Sequence, residues 1–459
     1  MRRRAFLKGI ATTGTATCLG RFTAWGAEQR VPASEQLNVA CIGLGGIMGT
    51  DLPSVLSVPG VNVVALCDVD ANALGQLRKK FETKAGSERA VSSMDRATFY
   101  GDYRKLLEKE KNVDAVLIAT PDHWHAPIAT AAIQAGKHVY CEKPLTHAIM
   151  EARRLRELSR ASKVVTQMGN QGNATGNLRR NIEVIQAGVL GQVREVHVWH
   201  PPCRVFEARP AQADAVPPQL NWDLWLGPAP ARPFARGCYH PFSWRFWWDF
   251  GNGSLGDFCG HAFNLPVQAL KLDHPTAVDV EGVGMGRESY VTRGRLTYHF
   301  PARGDLAALK FYFHQSLTPP DALMQPYKET FGTTPNGGCL VVGEKGMISA
   351  GLWNADGYLC MTGEKKFRSV MKHEAASGVP ERLPRAKGHV DEWVNACRGQ
   401  GAAFSNFDKG GLITEIGLIG ALAFRTGQRL DWDSQALKVP GRTELDALID
   451  PPYRQPWGV

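Results

Sequence analysis

The 459-residue sequence has no long apolar run, no closely paired cysteines and no internal repeat. No stretch approaches the roughly 20 apolar residues that a membrane-spanning helix needs, which argues against stable membrane insertion. Its ten cysteines are scattered without a Cys-x-x-Cys pair, which disfavours a zinc ribbon or a thioredoxin-type site. The composition, with 44% hydrophobic and 21% charged residues, is that of a globular protein long enough for two domains.

A basic N-terminus is followed by a short run of apolar and small residues. Arg3 and Arg4 lie in a positively charged stretch at residues 2–8, and residues 9–20 contain the mild apolar run. This order is typical of an export signal, and the arginine pair resembles the twin-arginine type. We therefore predict that residues 1–30 engage the twin-arginine export machinery and that the protein is periplasmic or otherwise exported.

The positive net charge does not indicate a nucleic-acid partner. The formal charge of +9 includes five cations before residue 26, where no acid occurs, so the rest of the chain carries only +4. A charge of that size gives little reason to invoke nucleic acid, and we expect none as a partner.

Residues 36–165 alternate apolar strands with helical patterns. The continuous apolar runs predict buried strands, and patterns with the period of a helix separate them. Such alternation favours a parallel sheet covered on both faces, which is a doubly wound Rossmann domain of the α/β class. The predicted strands are residues 37–42, 61–67, 113–119 and 138–141, and two of the helices are residues 71–81 and 127–135.

Residues 166–459 follow a different pattern. Their strands alternate polar and apolar residues, which predicts an open, mainly antiparallel sheet in a second α/β domain that binds substrate. The open face is a suitable contact surface between subunits, so we expect a homo-oligomer. A segment rich in proline and tryptophan at residues 201–250 is too long for a plain connection, which indicates a functional role. The predicted strands are residues 193–199, 296–300 and 308–313, and the helices are residues 390–397 and 411–426.

A glycine-rich turn follows the first predicted strand. Gly43, Gly45 and Gly46 fit a strand-to-helix turn in which backbone N–H groups approach a pyrophosphate. The third position of this fingerprint is Met48 instead of the usual Gly or Ala, which changes the expected packing of the first helix. The turn therefore predicts a dinucleotide site, with one departure from the common pattern.

An acid at the end of the second predicted strand selects the dinucleotide. Asp68 lies 23 residues after Gly45, at the position where an acid binds the ribose 2′-hydroxyl. A carboxylate there would repel the 2′-phosphate of NADP, so the sequence predicts NAD as the cofactor. Asp70 is the alternative acid.

Two further segments resemble the Gfo/Idh/MocA family of oxidoreductases. Residues 119–125 (Ala-Thr-Pro-Asp-His-Trp-His) follow the third predicted strand, and residues 141–145 (Cys-Glu-Lys-Pro-Leu) follow the fourth. The tryptophan-rich segments at 221–228 and 244–251 look like a bacterial branch of that family. The resemblance covers residues 36–430 and implies a Rossmann domain, a second α/β domain and an active site between them.

The resemblance also implies a set of cofactor contacts. In the family, residues of the first segment touch the nicotinamide half of the cofactor. Asn170 and Gln171 are expected to enter the cleft from the second domain, and turn chemistry is the alternative explanation of the Gly-Asn sequence. The implied positions in the two family segments are Thr120, Pro121, Asp122, His125, Glu142 and Lys143.

Three residues are implied to carry the chemistry. The family's lysine reaches the reacting hydroxyl, which maps to Lys143, where a cation stabilises alkoxide character as hydride leaves the carbon. Asp257 and His261 are four residues apart and share a helix face. The family has an Asp-x-x-x-His pair here, with the histidine as general base and the aspartate in support. The pair could instead stabilise the helix or ligate a metal with a third group; we predict no metal site.

The tryptophan-rich segment suggests the substrate. Flat aromatic faces suit the C–H faces of sugar rings, and Arg245 can donate to hydroxyl groups. We predict that Arg245 and Trp248 bind substrate, while core packing explains at least half of the tryptophans equally well.

These features predict an NAD-dependent oxidoreductase that acts on a secondary alcohol of a sugar, polyol or glycoside. An exported enzyme meets no cytoplasmic NAD pool, so we expect a tightly held cofactor that is recycled within each cycle. The alternative is a glycosidase that works through transient NAD-mediated oxidation and elimination, as some family members do. A third hypothesis is a sugar-binding protein that has lost its chemistry, against which the intact Lys143 and His261 argue.

Overall fold

A computed structural model describes residue 32 and residues 35–203, 208–283 and 288–457. The predicted export signal at residues 1–30 lies outside these ranges. Within them, no helix has the length and apolar character that crossing a membrane requires. The nine cysteines of these ranges are all free thiols.

The N-terminal domain is a parallel sheet whose strands are connected through helices. Its strands are β1 (Leu37–Ile42), β2 (Val61–Cys67), β3 (Thr98–Tyr100), β4 (Ala115–Ile118), β5 (His138–Glu142) and β6 (Thr166–Gly169). Its helices are α1 (Met48–Ser57), α2 (Ala73–Glu82), α3 (Glu88–Arg96), α4 (Tyr103–Lys109), α5 (His125–Gln134) and α6 (Ile149–Ala161). The spatial order β3-β2-β1-β4-β5-β6, with every pair parallel, is that of a dinucleotide-binding Rossmann fold. The predicted α/β class is confirmed.

Helices cover both faces of this sheet. Val39 and Cys41 belong to the core cluster that contains Leu52 of α1, while Ala40 belongs to the cluster that contains Ala129 of α5. Each of these side chains is fully buried. Burial on both faces explains why the strands read as continuous apolar runs, and β1 and β2 occupy the predicted residues.

The parallel sheet continues past the predicted domain boundary at residue 165. Strand β6 pairs with β5, from Val139 opposite Thr166 to Glu142 opposite Gly169. This strand has only four residues and begins with two polar ones, so it gives no clear apolar signal. The last strand of the parallel sheet therefore ends at Gly169, four residues beyond the predicted boundary.

The second domain is a nine-stranded sheet with helices packed against it. Its strands are β7 (Val193–His200), β8 (Ala277–Val283), β9 (Arg293–Phe300), β10 (Leu309–Gln315), β11 (Gly338–Gly343), β12 (Gly346–Ala350), β13 (Tyr358–Met361), β14 (Arg368–Ser369) and β15 (Leu430–Asp431). Its order is β14-β13-β12-β11-β7-β10-β9-β8-β15, antiparallel except for the β7–β10 pair. The predicted open, mainly antiparallel sheet is confirmed. The remaining helices are α7 (Gly176–Gln186), α8 (Trp222–Leu226), α9 (Gly253–Ala262), α10 (Asn264–Ala269), α11 (Asp321–Phe331), α12 (Glu374–Ser377), α13 (His389–Cys397), α14 (Phe407–Thr426) and α15 (Asp446–Ile449).

The chain returns to the N-terminal domain after this sheet. Val390, Trp393 and Val394 of α13 belong to the core cluster on one face of the parallel sheet. Phe407 and Trp457 belong to the cluster on the other face. The sequence predicted that residues 166–459 form one separate domain. The structure differs from this prediction, because late segments of that range complete the Rossmann core.

Candidate active site

A cleft of about 420 Å³ opens at the carboxyl ends of the parallel strands. The second domain contributes its other wall through α9, a 3₁₀ turn at Ser243–Phe246 and the indole of Trp353. Ligands of parallel α/β sheets bind beyond the carboxyl ends of the strands, so this is the expected place for a functional site. The predicted residues that line the cleft are Gly43, Gly45, Gly46, Asp68, Thr120, Pro121, Asp122, His125, Glu142, Lys143, Gln171, Arg245 and Asp257.

The glycine-rich turn leaves β1 in a conformation that side chains oppose. Gly43 has a φ of +84°, and a Cβ on it would lie 2.7 Å from the backbone of Ala119. At Gly45 and Gly46 an added Cβ would meet no described atom within 4 Å, so both face open space in the cleft. Met48, which replaces the usual Gly or Ala of the fingerprint, is fully buried at the start of α1, so the core accommodates its larger side chain.

Asp68 joins the end of β2 to this turn. Its carboxylate accepts hydrogen bonds from the backbone N–H of Leu44 at 2.7 Å and of Asp70 at 2.9 Å. Burial raises the pKa of Asp68, and the two backbone donors oppose that rise. The Asp70 carboxylate lies 3.2 Å from His240 Nε2 instead. Asp68 is therefore the acid that lines the cleft beside the glycines.

The segment after β4 enters the cleft as a 3₁₀ turn at Asp122–Trp124 that leads into α5. His125 Nδ1 lies 2.7 Å from the Pro144 carbonyl oxygen, and its Nε2 lies 2.9 Å from that of Thr120. Burial lowers the pKa of His125 to about 4, so the neutral ring has one N–H and donates to one of these two carbonyl oxygens while it packs between the two family segments. The Thr120 hydroxyl is buried without a hydrogen-bond partner among the described residues, which leaves it available to a ligand.

Asp122 is the first residue of that turn, and its carboxyl group is buried in the wall of the cleft. Only 1% of the residue is exposed, and neither carboxyl oxygen has a hydrogen-bond partner within the described chain. Burial raises the pKa of Asp122 to about 8, although the charge of Arg245 opposes the rise. The group is therefore a neutral acid at pH 7.

An ion pair links the two domains across the cleft. Lys143 Nζ donates to Asp257 Oδ1 at 2.5 Å, and Arg245 Nε lies 3.1 Å from the same oxygen. Burial alone would raise the pKa of Asp257, but the charges of Lys143 and Arg245 outweigh it and hold that pKa well below its usual range. The Lys143 ammonium group is thus held beside the Asp257 carboxylate, which stays ionised.

His261 lies one helical turn beyond Asp257 on α9, as predicted. Only 1% of it is exposed, and neither ring nitrogen has a hydrogen-bond partner among the described residues. Burial and the charge of Lys143 hold the pKa of His261 well below its usual range, so the ring is neutral. The indole of Trp353 packs over it with ring centroids 4.2 Å apart. His261 is not among the residues that line the cleft.

Glu142 belongs to a buried polar cluster at the end of β5. It accepts hydrogen bonds from Gln171 Nε2 at 2.8 Å and from the Tyr140 hydroxyl at 3.4 Å. Burial and the neighbouring Glu142 raise the pKa of Asp51, a buried acid of α1 that sequence reasoning missed. Burial raises the pKa of Glu142 as well. Gln171 therefore reaches the cleft as predicted, by way of this cluster.

Two predicted contacts lie elsewhere. Asn170 is fully buried outside the cleft, where its Nδ2 donates to the Gly260 carbonyl and its Oδ1 accepts from Ser405, so it fixes α9. Trp248 is 3% exposed and borders a separate cavity that Arg425 also lines. Crowding of tryptophans in the sequence does not determine which way each side chain faces.

Other aromatic residues line the cleft where Trp248 does not. Trp225 and Trp244 contribute buried rings, and the guanidinium of Arg245 stacks on Trp244 at 4.4 Å. Phe242 and Trp353 are 61% and 50% exposed, which places large apolar faces at the mouth. Phe242 belongs to the aromatic segment that signalled function, whereas Trp353, in the connection between β12 and β13, gave no sequence signal.

The residues of the cleft fit a dinucleotide. Open space above Gly45, an acid at the end of β2 and the unpartnered Thr120 hydroxyl are the features that such a ligand uses. No group of three His, Cys, Asp or Glu side chains in the described ranges is arranged to hold a metal ion.

Comparison with curated proteins gives matches to parts of known enzymes. Over 205 residues the chain is 30% identical to a glycosyl hydrolase family 109 protein of Saccharopolyspora erythraea, covering 42% of this chain and 44% of that protein. Over 166 residues it is 30% identical to inositol 2-dehydrogenase of Salmonella paratyphi B, covering 36% and 46%. The chain spans about half the length of the curated relatives it matches.

Solved structures and family models cover more of the chain. The WlbA dehydrogenase from Bordetella pertussis, solved with NADH and UDP-GlcNAcA, aligns over 87% of this chain and 98% of its own, with a TM-score of 0.59 and 16% identity. A likeness at that identity shows the shared fold. Residues 37–170 match the NAD-binding Rossmann model of an oxidoreductase family, and residues 203–303 match its C-terminal α/β model. The chain therefore belongs to the Gfo/Idh/MocA family of oxidoreductases and carries that family's NAD-binding domain.

Proposed function

We propose that the protein is an NAD-dependent oxidoreductase that acts on a secondary alcohol of a sugar, polyol or glycoside. The observation that carries this proposal is the Lys143–Asp257 ion pair at 2.5 Å, in the same cleft as the glycine-rich turn. Residues suited to a dinucleotide and a cation suited to an alcohol oxygen thus line one continuous space.

Each of these side chains has a separate role in the proposed reaction. NAD⁺, when bound, accepts a hydride from the substrate carbon. The Lys143 ammonium stabilises the negative charge that develops on the carbinol oxygen. Asp257 holds this ammonium in place and stays ionised because its pKa is low. The exposed faces of Phe242 and Trp353 suit the apolar faces of a sugar ring.

A second candidate is a glycosidase that oxidises its substrate transiently, eliminates the glycosidic oxygen and returns the hydride. It is favoured by the match to glycosyl hydrolase family 109 proteins. The net products of such an enzyme show hydrolysis with no change in the redox state of NAD.

One experiment separates these candidates from a binding protein without chemistry. The purified protein is incubated with a panel of polyols and glycosides while nicotinamide absorbance and released sugar are both followed. Absorbance change without release supports the oxidoreductase, and release without net absorbance change supports the glycosidase. Binding with neither signal would leave only the third hypothesis.

We predict a preference for NAD over NADP of more than about tenfold, or about 1.4 kcal/mol. The partly buried Asp68 carboxylate beside the turn would repel a 2′-phosphate. Replacing it in Asp68→Ala should reduce the preference, whereas Asp70→Ala, the matched control, should leave it unchanged. Dissociation constants for NADH and NADPH measure this directly, and a preference for NADP in the native protein would remove Asp68 from its assigned role.

We also propose export through the twin-arginine route, on the basis of the N-terminal sequence. Replacing both arginines in Arg3→Lys/Arg4→Lys should retain at least about 90% of the protein in the cytoplasm, because the route depends on that pair. The distribution between cell fractions measures the effect. Normal periplasmic yield from the double variant would contradict the assignment.

A homo-oligomer is proposed from the second sheet. One of its faces carries the partly exposed side chains of Glu195, Arg295 and Tyr312 on neighbouring strands. A partly exposed sheet face suits contact with a second copy of the chain, and the native mass in solution tests this proposal.

A further inference from the structure

Asp122 is a buried carboxyl group that the rest of the described chain leaves unsatisfied. Its residue is 1% exposed, both of its oxygens lack hydrogen-bond partners in that part of the chain, and it lines the cleft. Buried polar groups normally have a partner, so an orphaned carboxyl in a binding cleft points to a ligand.

The charged groups around Asp122 do not neutralise it. Lys143 and Arg245 are its cationic neighbours, but both lie against Asp257, which is itself a third charge near Asp122. A carboxylate at Asp122 would therefore be a second negative charge in a buried site. The other titratable groups near it are the thiols of Cys141 in β5 and Cys259 in α9, with His123 and His125 following it in the chain.

This arrangement separates two acids by their protonation state. Asp257 holds the cations and stays charged, while Asp122 lacks a cation of its own and retains its proton. Two carboxyl groups whose surroundings drive their pKa values apart are a common basis for dividing the roles of acid and fixed charge in an active site. His261, the base implied by the family resemblance, packs under Trp353 and is not among the residues that line the cleft, whereas Asp122 belongs to the cleft wall.

We propose that Asp122 holds and transfers the proton of the substrate hydroxyl in this chain. The inference rests on the oxidoreductase function proposed above. In the oxidation direction the Asp122 carboxylate takes the hydroxyl proton, and the electron pair of the broken O–H bond forms the second bond of the carbonyl. The C–H pair leaves with the hydride that the bound cofactor accepts. In the reverse direction the Asp122 acid returns its proton to the carbonyl oxygen.

The direction of the pH dependence follows from this role. The pKa of Asp122 is raised to about 8, so the acid form dominates below that pH and the carboxylate above it. Oxidation, which needs the carboxylate, should speed up as the pH rises through about 8. Reduction, which needs the acid, should slow down over the same range.

The test compares Asp122→Asn with Asp305→Asn, a control on an exposed turn. Asparagine has the shape of the neutral acid, so the melting temperature should be kept. Turnover of Asp122→Asn should fall about 100-fold and lose its change near pH 8, because general acid–base catalysis contributes effects of this size. The control should match the native enzyme. An Asp122→Asn enzyme with near-native turnover and an unchanged pH profile would overturn the proposal.

A second measurement does not depend on turnover. The infrared difference spectrum between native protein and Asp122→Asn at pH 6.5 isolates this carboxyl from other buried acids such as Asp51 and Glu142. A carboxylic acid C=O band that disappears as the pH rises past 8 is expected. Absence of that band overturns the role of Asp122 even in an active enzyme, whereas a band without turnover of any panel compound contradicts the proposed function instead.

Discussion

Replacing Lys143 by methionine is expected to lower turnover at least 100-fold, which corresponds to about 2.7 kcal/mol of lost transition-state stabilisation. The ammonium is the donor to Asp257 at 2.5 Å and lies in a cleft wall where only 12% of its side chain is exposed. Methionine keeps most of the length of the side chain and removes the charge that stabilises a developing alkoxide. The loss should therefore appear in kcat more than in KM. Steady-state kinetics on the best compound of the substrate panel measures it.

A matched control separates the loss of this cation from the loss of any lysine. Lys79 lies on the exposed side of α2 with no role in the cleft, so Lys79→Met should keep native kinetics. The melting temperature of Lys143→Met shows whether the variant is folded. A folded Lys143→Met enzyme that loses tenfold or less would remove Lys143 from the mechanism.

Alanine substitutions at two glycines of the turn are expected to fail in different ways. At Gly43 a Cβ would lie 2.7 Å from the Ala119 backbone, at a φ of +84° that L-residues disfavour by about 1–2 kcal/mol. We expect Gly43→Ala to lower the free energy of unfolding by more than about 2 kcal/mol, because the backbone overlap adds to the conformational cost. Chemical or thermal unfolding measures this change.

At Gly45 the same substitution should spare the fold and damage the site. No described atom lies within 4 Å of the added Cβ, so Gly45→Ala should unfold like the native protein. The methyl group would occupy space that a pyrophosphate needs, and we expect NADH to bind at least about tenfold more weakly. Fluorescence titration with NADH tests this expectation. Native affinity in Gly45→Ala would place the pyrophosphate away from the turn.

The sequence predicts those parts of the fold that depend on continuous local patterns. Strands β1 and β2 are buried on both faces, so every residue is under the same apolar constraint and the strand bounds can be read directly. Strands β3 and β6 have three and four residues, too few to establish a pattern. The contribution of α13 to the Rossmann core depends on tertiary packing that no local pattern reports.

Among the residues of the site, local motifs predict some positions, and tertiary packing determines the others. The positions of Asp122 and Lys143 in the cleft are predictable, because both follow strand ends. The topology brings the carboxyl ends of parallel strands together. Trp353 was missed because its position over His261 depends on the path of one connection in the second sheet. The substrate role predicted for Trp248 assumed a side-chain direction that sequence proximity does not fix.

The return of the chain to its first domain has a consequence for engineering and for evolution. A fragment that ends near residue 200 would lack Trp393, which is fully buried in the Rossmann core, and would expose the apolar surface that α13 covers. Exchange of the cofactor-binding half between relatives must therefore transfer residues 389–397 together with it. Since late segments of the chain complete the Rossmann core, the N-terminal domain is not expected to unfold independently of them.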